Sequence, residues 1–422
     1  MRKLILIGKW SAIAGATMTL GACLAAIPFN LAAERQEKVI YPEIEQWIEV
    51  TDKTWNPDRN PKNSLTLKYS SYTSAFKLRD LTHHLGFYAV DPHYVQTQPK
   101  LSQSNRQKFE QIEATLVEYL ETVIKTEATP PPSSLQQYWQ ENELKIAEIR
   151  NFSRYYTTPR YPLNLDWVRY NDAEDIREPN GIGNLKNLQN ILLLDALIHQ
   201  EQGNLALASD SLDAAYELSL AVNNRLSTIE QADYLNLVQQ QALILRKFDN
   251  LSPEFAERLA QDYHAAISIA LRAKITADFN ANSVSPLSQQ TAISPETAYP
   301  TWLPRWGLWK NVAVRHNAIA LYQTQKDSLE QLIANRSCNP EIADEKMEQL
   351  WQKATQLEQE IELTQLIVQA KAQYAQNREF PATLDNLASR SCPGLTWEYK
   401  LNADGTASLL GQGKTIVLKP PK

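Results

Sequence analysis

Residues 183–224 read GNLKNLQNILLLDALIHQEQGNLALASDSLDAAYELSLAVNN, and the spacing of their leucines decides the fold. Leu185, Leu188, Leu192 and Ala196 recur every three to four residues, the period of one face of an α-helix. Ile191, Leu193, Leu194, Leu197 and Ile198 widen that face until the helix is apolar most of the way round, which predicts an inner helix over 183–202. Gly203 breaks the pattern, Asn204 caps a second helix, and Leu205, Ala208, Leu212 and Ala215 form its buried face. The alanines on that face allow a neighbouring helix to come close.

The same periodicity runs on to Phe279. A third helix opens with two overlapping capping boxes, Ser227 to Glu230 and Thr228 to Gln231, and shows Leu235, Val238, Ala242, Leu245 and Phe248 on one face. A fourth starts at Ser252-Pro253-Glu254: a cap, a proline where no amide is needed, and a charge that suits the helix dipole. It continues through Phe255, Leu259, Tyr263, Ala266 and Ala270. Short connections make consecutive helices antiparallel neighbours. The expected fold is therefore mainly α: stacked antiparallel helical hairpins, as an α-solenoid or a bundle, with an N-terminal membrane helix and a small C-terminal β-hairpin module.

Gly203-Asn204-Leu205-Ala206-Leu207-Ala208, with Leu212, Ala215 and Leu218 beyond it, resembles the second half of a tetratricopeptide repeat. The resemblance covers about 35 residues, without a second copy at a fixed period. In the first half Asp195 stands where the repeat has a leucine and Leu192 where it has a tryptophan. The resemblance implies a protein- or peptide-binding surface and no catalysis. The residues alone leave a generic helical bundle open.

Around this centre the 422 residues divide into a membrane anchor or signal segment (1–33), an N-terminal helical region (34–156), an irregular connection (157–182), the central region (183–279), a polar loop (280–301), C-terminal helices (302–377) and a β-hairpin tail (378–422). Helices are expected over 41–54, 72–87, 102–126 and 134–155. The net charge of −6 is mild and spread along the chain; no basic stripe marks a nucleic-acid face, so no nucleic-acid partner is expected.

The N-terminus sets the compartment. Arg2, Lys3 and Lys9 precede Trp10 to Ala33, which holds no charged residue and is long enough to cross a bilayer. Cations before the run favour a cytoplasmic N-terminus and a body outside, which predicts a single-pass protein of a bacterial inner membrane with its body in the periplasm or beyond. Within the run, Leu20-Gly21-Ala22-Cys23 resembles the bacterial lipoprotein box, which implies lipid attachment at Cys23. Uncleaved anchor, lipoprotein and cleaved signal all place the body outside the cytoplasm. There, Cys338 and Cys392 are the remaining thiols and form a disulfide candidate; two reduced buried thiols are the alternative.

Trp302, Trp306 and Trp309 fall at i, i+4 and i+7, with His316 nearly on the same face. Three readings stay open: a core of large side chains, an aromatic ligand pocket covered by 280–300, or a membrane-interface contact. A long helix is expected from a cap at Asn339-Pro340-Glu341 to Asn377. Trp397, Tyr399 and Leu401 then alternate with Glu398 and Lys400, Asp404-Gly405 signals a hairpin turn, Thr406 to Leu410 returns, and Thr415 to Leu418 offers a third strand. The helix ending near Tyr374, the run Phe380-Pro381-Ala382-Thr383-Leu384-Asp385-Asn386-Leu387, the Pro393-Gly394 turn and the Trp-x-Tyr hairpin resemble the C-terminal part of pseudopilins. Similar tails occur on uncharacterised membrane-anchored bacterial proteins. The resemblance implies a module for contacts, or an accessory role in a secretion or pilus apparatus.

Other motifs fail on their chemistry. Gly411-Gln412-Gly413-Lys414-Thr415 ends like a phosphate-binding loop, but Ser408 stands where its first glycine belongs and seven residues remain, too few for the completing helix. His83, His84 and His93 cluster, yet adjacent side chains on a helix diverge, which leaves His84, His93 and Asp91 as the one metal arrangement to consider. Asp172, Glu174, Asp175 and Glu178 lack the central glycine of a calcium loop. No Gly-x-Ser-x-Gly elbow is present. The expectation is a membrane-anchored, extracytoplasmic scaffold that binds another envelope protein, with no catalytic residue, metal or cofactor. A pocket lined by Trp302, Trp306, Trp309 and His316 is the alternative.

Overall fold

The structure, a computed structural model, describes residues 26–51, 77–89, 100–126, 129–155, 182–223, 228–249, 251–283, 304–335, 338, 344–411 and 413–420. The chain is mainly helical, with a small three-stranded antiparallel sheet near its C-terminus. In chain order the helices are α1 (26–51), α2 (Gln103–Lys125), α3 (Ser133–Tyr155), α4 (Ile182–Glu201), α5 (Leu205–Asn223), α6 (Thr228–Leu245), α7 (Pro253–Arg258), α8 (Tyr263–Ser283), α9 (Pro304–Asn335) and α10 (Glu345–Asn377). The strands are β1 (Glu398–Leu401), β2 (Ala407–Gly411) and β3 (Lys414–Leu418). A short helix over 77–82 runs into a 3-10 turn at His83–Leu85.

The described residues fall into two compact units, one within Met1–Thr54 and Arg272–Leu329, the other within Trp55–Leu163, Glu174–Leu271 and Glu330–Lys422. In the second, α4 is the inner helix that its composition predicts: Leu188, Ile191, Leu192, Leu193, Leu194 and Ala196 are fully buried. Each such leucine or isoleucine contributes about 1.5–3 kcal/mol relative to exposure. Gly203 ends α4 in the left-handed conformation (φ 76°), which lets the Asn204 N–H reach back to the His199 carbonyl at 2.7 Å. The turn lays α5 against α4, with Ala208, Leu212, Ala215 and Leu218 buried. Polar side chains tie neighbouring helices to each other's backbones: Gln189 donates to the Leu237 carbonyl (2.9 Å), Gln200 to Lys247 (2.9 Å) and Gln241 to Ala215 (2.6 Å).

Three expectations need correction. The fourth central helix is two, α7 and α8, because Asp262 caps a fresh start by accepting the Ala265 N–H at 3.0 Å. The helix expected from Tyr41 begins before it: 26–51 is helical throughout, carried by good helix formers over Ala32 to Lys38 and continuing through Pro42. Helix α10 starts at Asp344, whose carboxylate accepts from the Lys346 and Met347 amides at 3.1 Å each. The cap expected at Asn339-Pro340-Glu341 lies outside the described residues, as do most of the connections over 157–182 and 280–301.

Helix α10 packs on α6 and α7 and carries the tail on its C-terminal half. Leu363, Leu366, Ile367 and Ala370 form one core with Phe380, Leu384, Trp397, Ala407, Leu409 and Leu418. The sheet order is β1-β2-β3, with Tyr399 opposite Leu409 and Leu409 opposite Ile416. Gly411 is required by close approach: a Cβ there would lie 2.3 Å from the Trp397 ring. The Gly-x-Gly-Lys-Thr segment is thus the β2–β3 hairpin rather than a phosphate loop.

In the first unit, α1 buries Ala26, Ala33, Glu37, Ile40, Ile44, Ile48 and Thr51, a three-to-four spacing that makes one seam. Val312, Ile319 and Tyr322 of α9 are buried as well. The two helices run parallel, since Arg315 reaches Asn30 (2.6 Å) and Glu37 while Lys326 reaches Glu43 (2.6 Å).

Candidate functional site

A buried polar cluster centres on the residue that departs from the tetratricopeptide pattern. Asp195 and His199, one turn apart on α4, meet Ser211 of α5 and Trp139 and Arg150 of α3. Asp195 Oδ1 accepts from Trp139 Nε1 at 2.7 Å; Oδ2 accepts from Arg150 Nη1 at 2.6 Å and from the Ser211 hydroxyl at 2.5 Å. The His199 ring stands edge-on to Trp139, with its Nε2 3.1 Å from Arg150 Nη1. Serine, histidine and aspartate are the residue types of a hydrolytic triad, but here the serine bonds the aspartate and not the histidine. All three are at most 3% exposed, which closes them to substrate. The cluster is a brace: one carboxylate accepts the three donors that α3 and α5 bring to α4.

Three carboxylates of α10, Glu358, Glu360 and Glu362, make the second constellation. Glu360 binds Arg246 (Oε2 to Nη2, 2.5 Å) and Lys414 of β3, and the Arg246 guanidinium also donates to Thr364 Oγ1 at 2.8 Å. Burial opposes ionisation of Glu360, but the Arg246 and Lys414 charges outweigh it and hold the carboxyl below the ordinary glutamate range. Glu362 accepts from the Arg390 and Ser391 amides (2.9 and 2.8 Å) and from Ser389 Oγ (2.7 Å), fixing the loop before β1. Lys371 donates to the Arg246 carbonyl (2.9 Å) and to Asp249 (2.8 Å), closing the end of α6.

Asp262, His264 and Glu358 place their ligating atoms within 4.8 Å of one another, a donor set that a divalent metal accepts. Each already serves a protein partner. Glu358 Oε1 accepts the Tyr263 N–H at 3.2 Å and lies 3.0 Å from His264 Nδ1; His264 Nε2 lies 3.0 Å from Thr355 Oγ1. The cluster also sits at the first turn of α8, where the helix dipole favours anions over cations. It is a helix cap completed from α10.

The residues singled out in the sequence are placed as follows. Cys338 and Cys392 come together at disulfide distance, with Cα atoms 5.4 Å apart. Cys23 and Trp302 lie outside the described residues; Trp306 and Trp309 belong to α9, with nothing described of their side chains. His316 is half-buried against α1, its Nε2 2.9 Å from the Phe29 carbonyl and its ring edge-on to Phe29. The His83 and His84 rings lie 3.8 Å apart and tilted by 39°, and burial, then His83 and Lys145, lower the pKa of His84; His93, Asp91 and the acidic run 172–178 lie outside the described residues. A cleft of about 470 Å³ in the first unit is lined by Arg35, Val39 and Glu43 of α1 with Tyr322, Lys326 and Asp327 of α9.

Sequence reasoning missed the Asp195 brace and the caps of α10. The signal for the first was in view, an aspartate on a helix apolar most of the way round. For the second it was Leu357-Glu358-Gln359-Glu360-Ile361-Glu362-Leu363, where alternate glutamates point to different sides of one helix, so that neighbours must meet some of them.

Comparison with protein families, with curated proteins and with solved structures finds no match.

Proposed function

We propose that the chain is a membrane-anchored, extracytoplasmic helical scaffold that binds another envelope protein and performs no catalysis of its own. Its helices stack as antiparallel hairpins, and its body stands in the periplasm or outside, held to a bacterial inner membrane by the charge-free run or, alternatively, by lipid at Cys23. The carrying observation is the start of α1: Ile27, Phe29 and Leu31 are about half exposed (50%, 52% and 48%) where the sequence continues the charge-free run, and charges begin at Glu34. Exposed apolar side chains in series mark a contact with lipid or protein. No described helix is long and apolar enough to cross a membrane; residues 1–25, which hold most of the run, lie outside that search. The burial of Asp195, His199 and Ser211 supports the non-catalytic part, because it closes them to substrate. The way α10 fixes the sheet supports the pilin-like tail as a rigid module for contacts.

Crosslinking in intact cells, followed by affinity capture with the anchor retained and mass spectrometry, tests the proposal. A reproducible envelope protein crosslinked to the α4–α6 surface or to the tail is the expected result. Recovery of the protein alone, or with a small molecule, would overturn the scaffold reading in favour of the tryptophan-lined pocket.

A further inference from the structure

We infer that the outer edge of β3 takes up an extended, acid-flanked segment of the envelope partner as a further strand of the sheet. This rests on the scaffold reading above and names how its tail makes contact.

The hydrogen-bond phase of the hairpin decides which groups face outward. A two-residue turn joins Gly411 to Lys414, and the residues that flank such a turn exchange both of their backbone hydrogen bonds. Bonded pairs then recur at every second residue, Leu409 with Ile416 and Ala407 with Leu418. Thr415 and Val417 lie between them, so their N–H and C=O groups point away from β2. Among the described residues β3 pairs with β2 alone, and no backbone bond reaches Thr415 or Val417 from the other side. Both side chains are exposed, Val417 by 52%.

The opposite edge is built differently. The Trp397 N–H donates to the Leu387 carbonyl at 2.8 Å and the Ser389 N–H to the Leu395 carbonyl at 2.9 Å, which lays 387–389 along the lead into β1. Strand β1 also carries Glu398 and Lys400 within its length, charges of the kind that discourage edge pairing. At the centre of β3 stand Thr415, Ile416 and Val417, β-branched residues suited to pairing, with no charge or proline among them. Ile416 and Leu418 pack into the core shared with α10, and Lys414 meets Glu360, so the edge is already fixed before anything binds it. A preformed edge costs a partner little ordering on the side of this chain.

Charge selects the occupant. Residues 414–422 read KTIVLKPPK, with three lysines and no acid. A second copy paired antiparallel about Ile416 would set Lys414 of each chain beside Lys419 of the other, which like-charge repulsion opposes. A partner segment with acidic residues at its ends meets these lysines favourably, while its backbone takes up the groups of Thr415 and Val417.

The probe is a fluorescent peptide of alternating valine and threonine with glutamates at both ends, titrated into the full-length chain in detergent micelles. Two further versions carry N-methyl groups on one or the other set of alternate amides. The parent should bind, one methylated version should keep that affinity, and the other should bind about tenfold more weakly, because only one set of amides faces β3. Val417→Pro should weaken the parent peptide by about as much with the urea midpoint unchanged, since the lost N–H points away from β2. The methylated peptides leave the protein unaltered, so their result stands even if the proline variant does not fold. Equal affinity of the two methylated versions, or no binding of the parent, overturns the inference. A peptide with lysines in place of the glutamates that binds equally well overturns the choice of an acidic occupant, and a dimer of the wild type lost in Val417→Pro gives the edge to a second copy instead. In the crosslinking experiment above, an envelope protein captured by wild type and lost with Val417→Pro is the expected result. Capture of that protein by both chains overturns the edge and leaves the scaffold reading intact; no capture by the wild type overturns the scaffold reading and this inference with it.

Discussion

Asp195 and Glu362 are both carboxylates on the buried faces of helices, and the molecule uses them differently. Asp195, 1% exposed, accepts from the side chains of Trp139, Arg150 and Ser211 deep between α3, α4 and α5. Glu362, 9% exposed, accepts two backbone amides and one hydroxyl from the loop that leads into the sheet. The first joins elements that hydrophobic packing already holds. The second positions a segment with little regular structure of its own. The consequence is energetic: donors around Asp195 have no water to turn to, whereas donors around Glu362 lie near solvent.

Breaking the brace should have the largest effect. Asp195→Leu leaves the Arg150 charge and the Trp139 N–H buried without their acceptor and should destabilise by about 3–5 kcal/mol in urea unfolding. Adding Arg150→Met should recover most of that loss, because the penalty belongs to the stranded charge. A double variant no more stable than the single would break the comparison at its core.

Next in size is the Cys338–Cys392 pair, at disulfide distance beside the same loop. Cys338 and Cys392 close a loop of 54 residues in sequence separation, and Cys392 sits two residues beyond Arg390. Replacing both by serine should cost about 2–4 kcal/mol, read as a lower urea midpoint that matches the reduced wild type.

Glu362→Gln should cost less, about 1–2 kcal/mol, and act locally. Faster amide exchange at Arg390 and Ser391, with unchanged protection in α4, is the expected pattern. Loss of protection throughout would make Glu362 as central as Asp195.

The smallest effect concerns pH. Glu360 has a folded-state pKa below that of an unfolded glutamate, so its ionised form contributes stability above the ordinary carboxylate range. That contribution disappears as the pH falls through the lowered value. Glu360→Gln should therefore be less stable than wild type at neutral pH, and the gap should close in acid. A gap that is constant with pH would deny the pairing with Arg246 and Lys414.

The contrast also explains what could be read in advance. Elements with local causes were legible: the helical periodicity over 102–126, Gly203 ending α4, and the alternation of Trp397, Tyr399 and Leu401 toward β1. The mainly helical class and the C-terminal sheet followed from the same patterns. What escaped depends on distant residues. The division of the expected fourth helix at Asp262 is completed by Glu358, more than ninety positions away by number, and the brace draws on Trp139 and Arg150 from another helix. Periodicity marks which face is buried; it does not name the partner. The pairing of Cys338 with Cys392 came from compartment logic, and their approach to 5.4 Å between Cα atoms agrees with it.

That pair also gives the most direct test of the proposed placement outside the cytoplasm. Cells expressing the full chain are quenched in acid, and free thiols are tagged with a maleimide large enough to shift the protein on a denaturing gel. An exported body predicts that Cys338 and Cys392 take up no tag until a reductant is added. Two tags without reductant beyond that of Cys23, one of them lost in Cys338→Ser and the other in Cys392→Ser, would put the body in a reducing compartment and contradict the account.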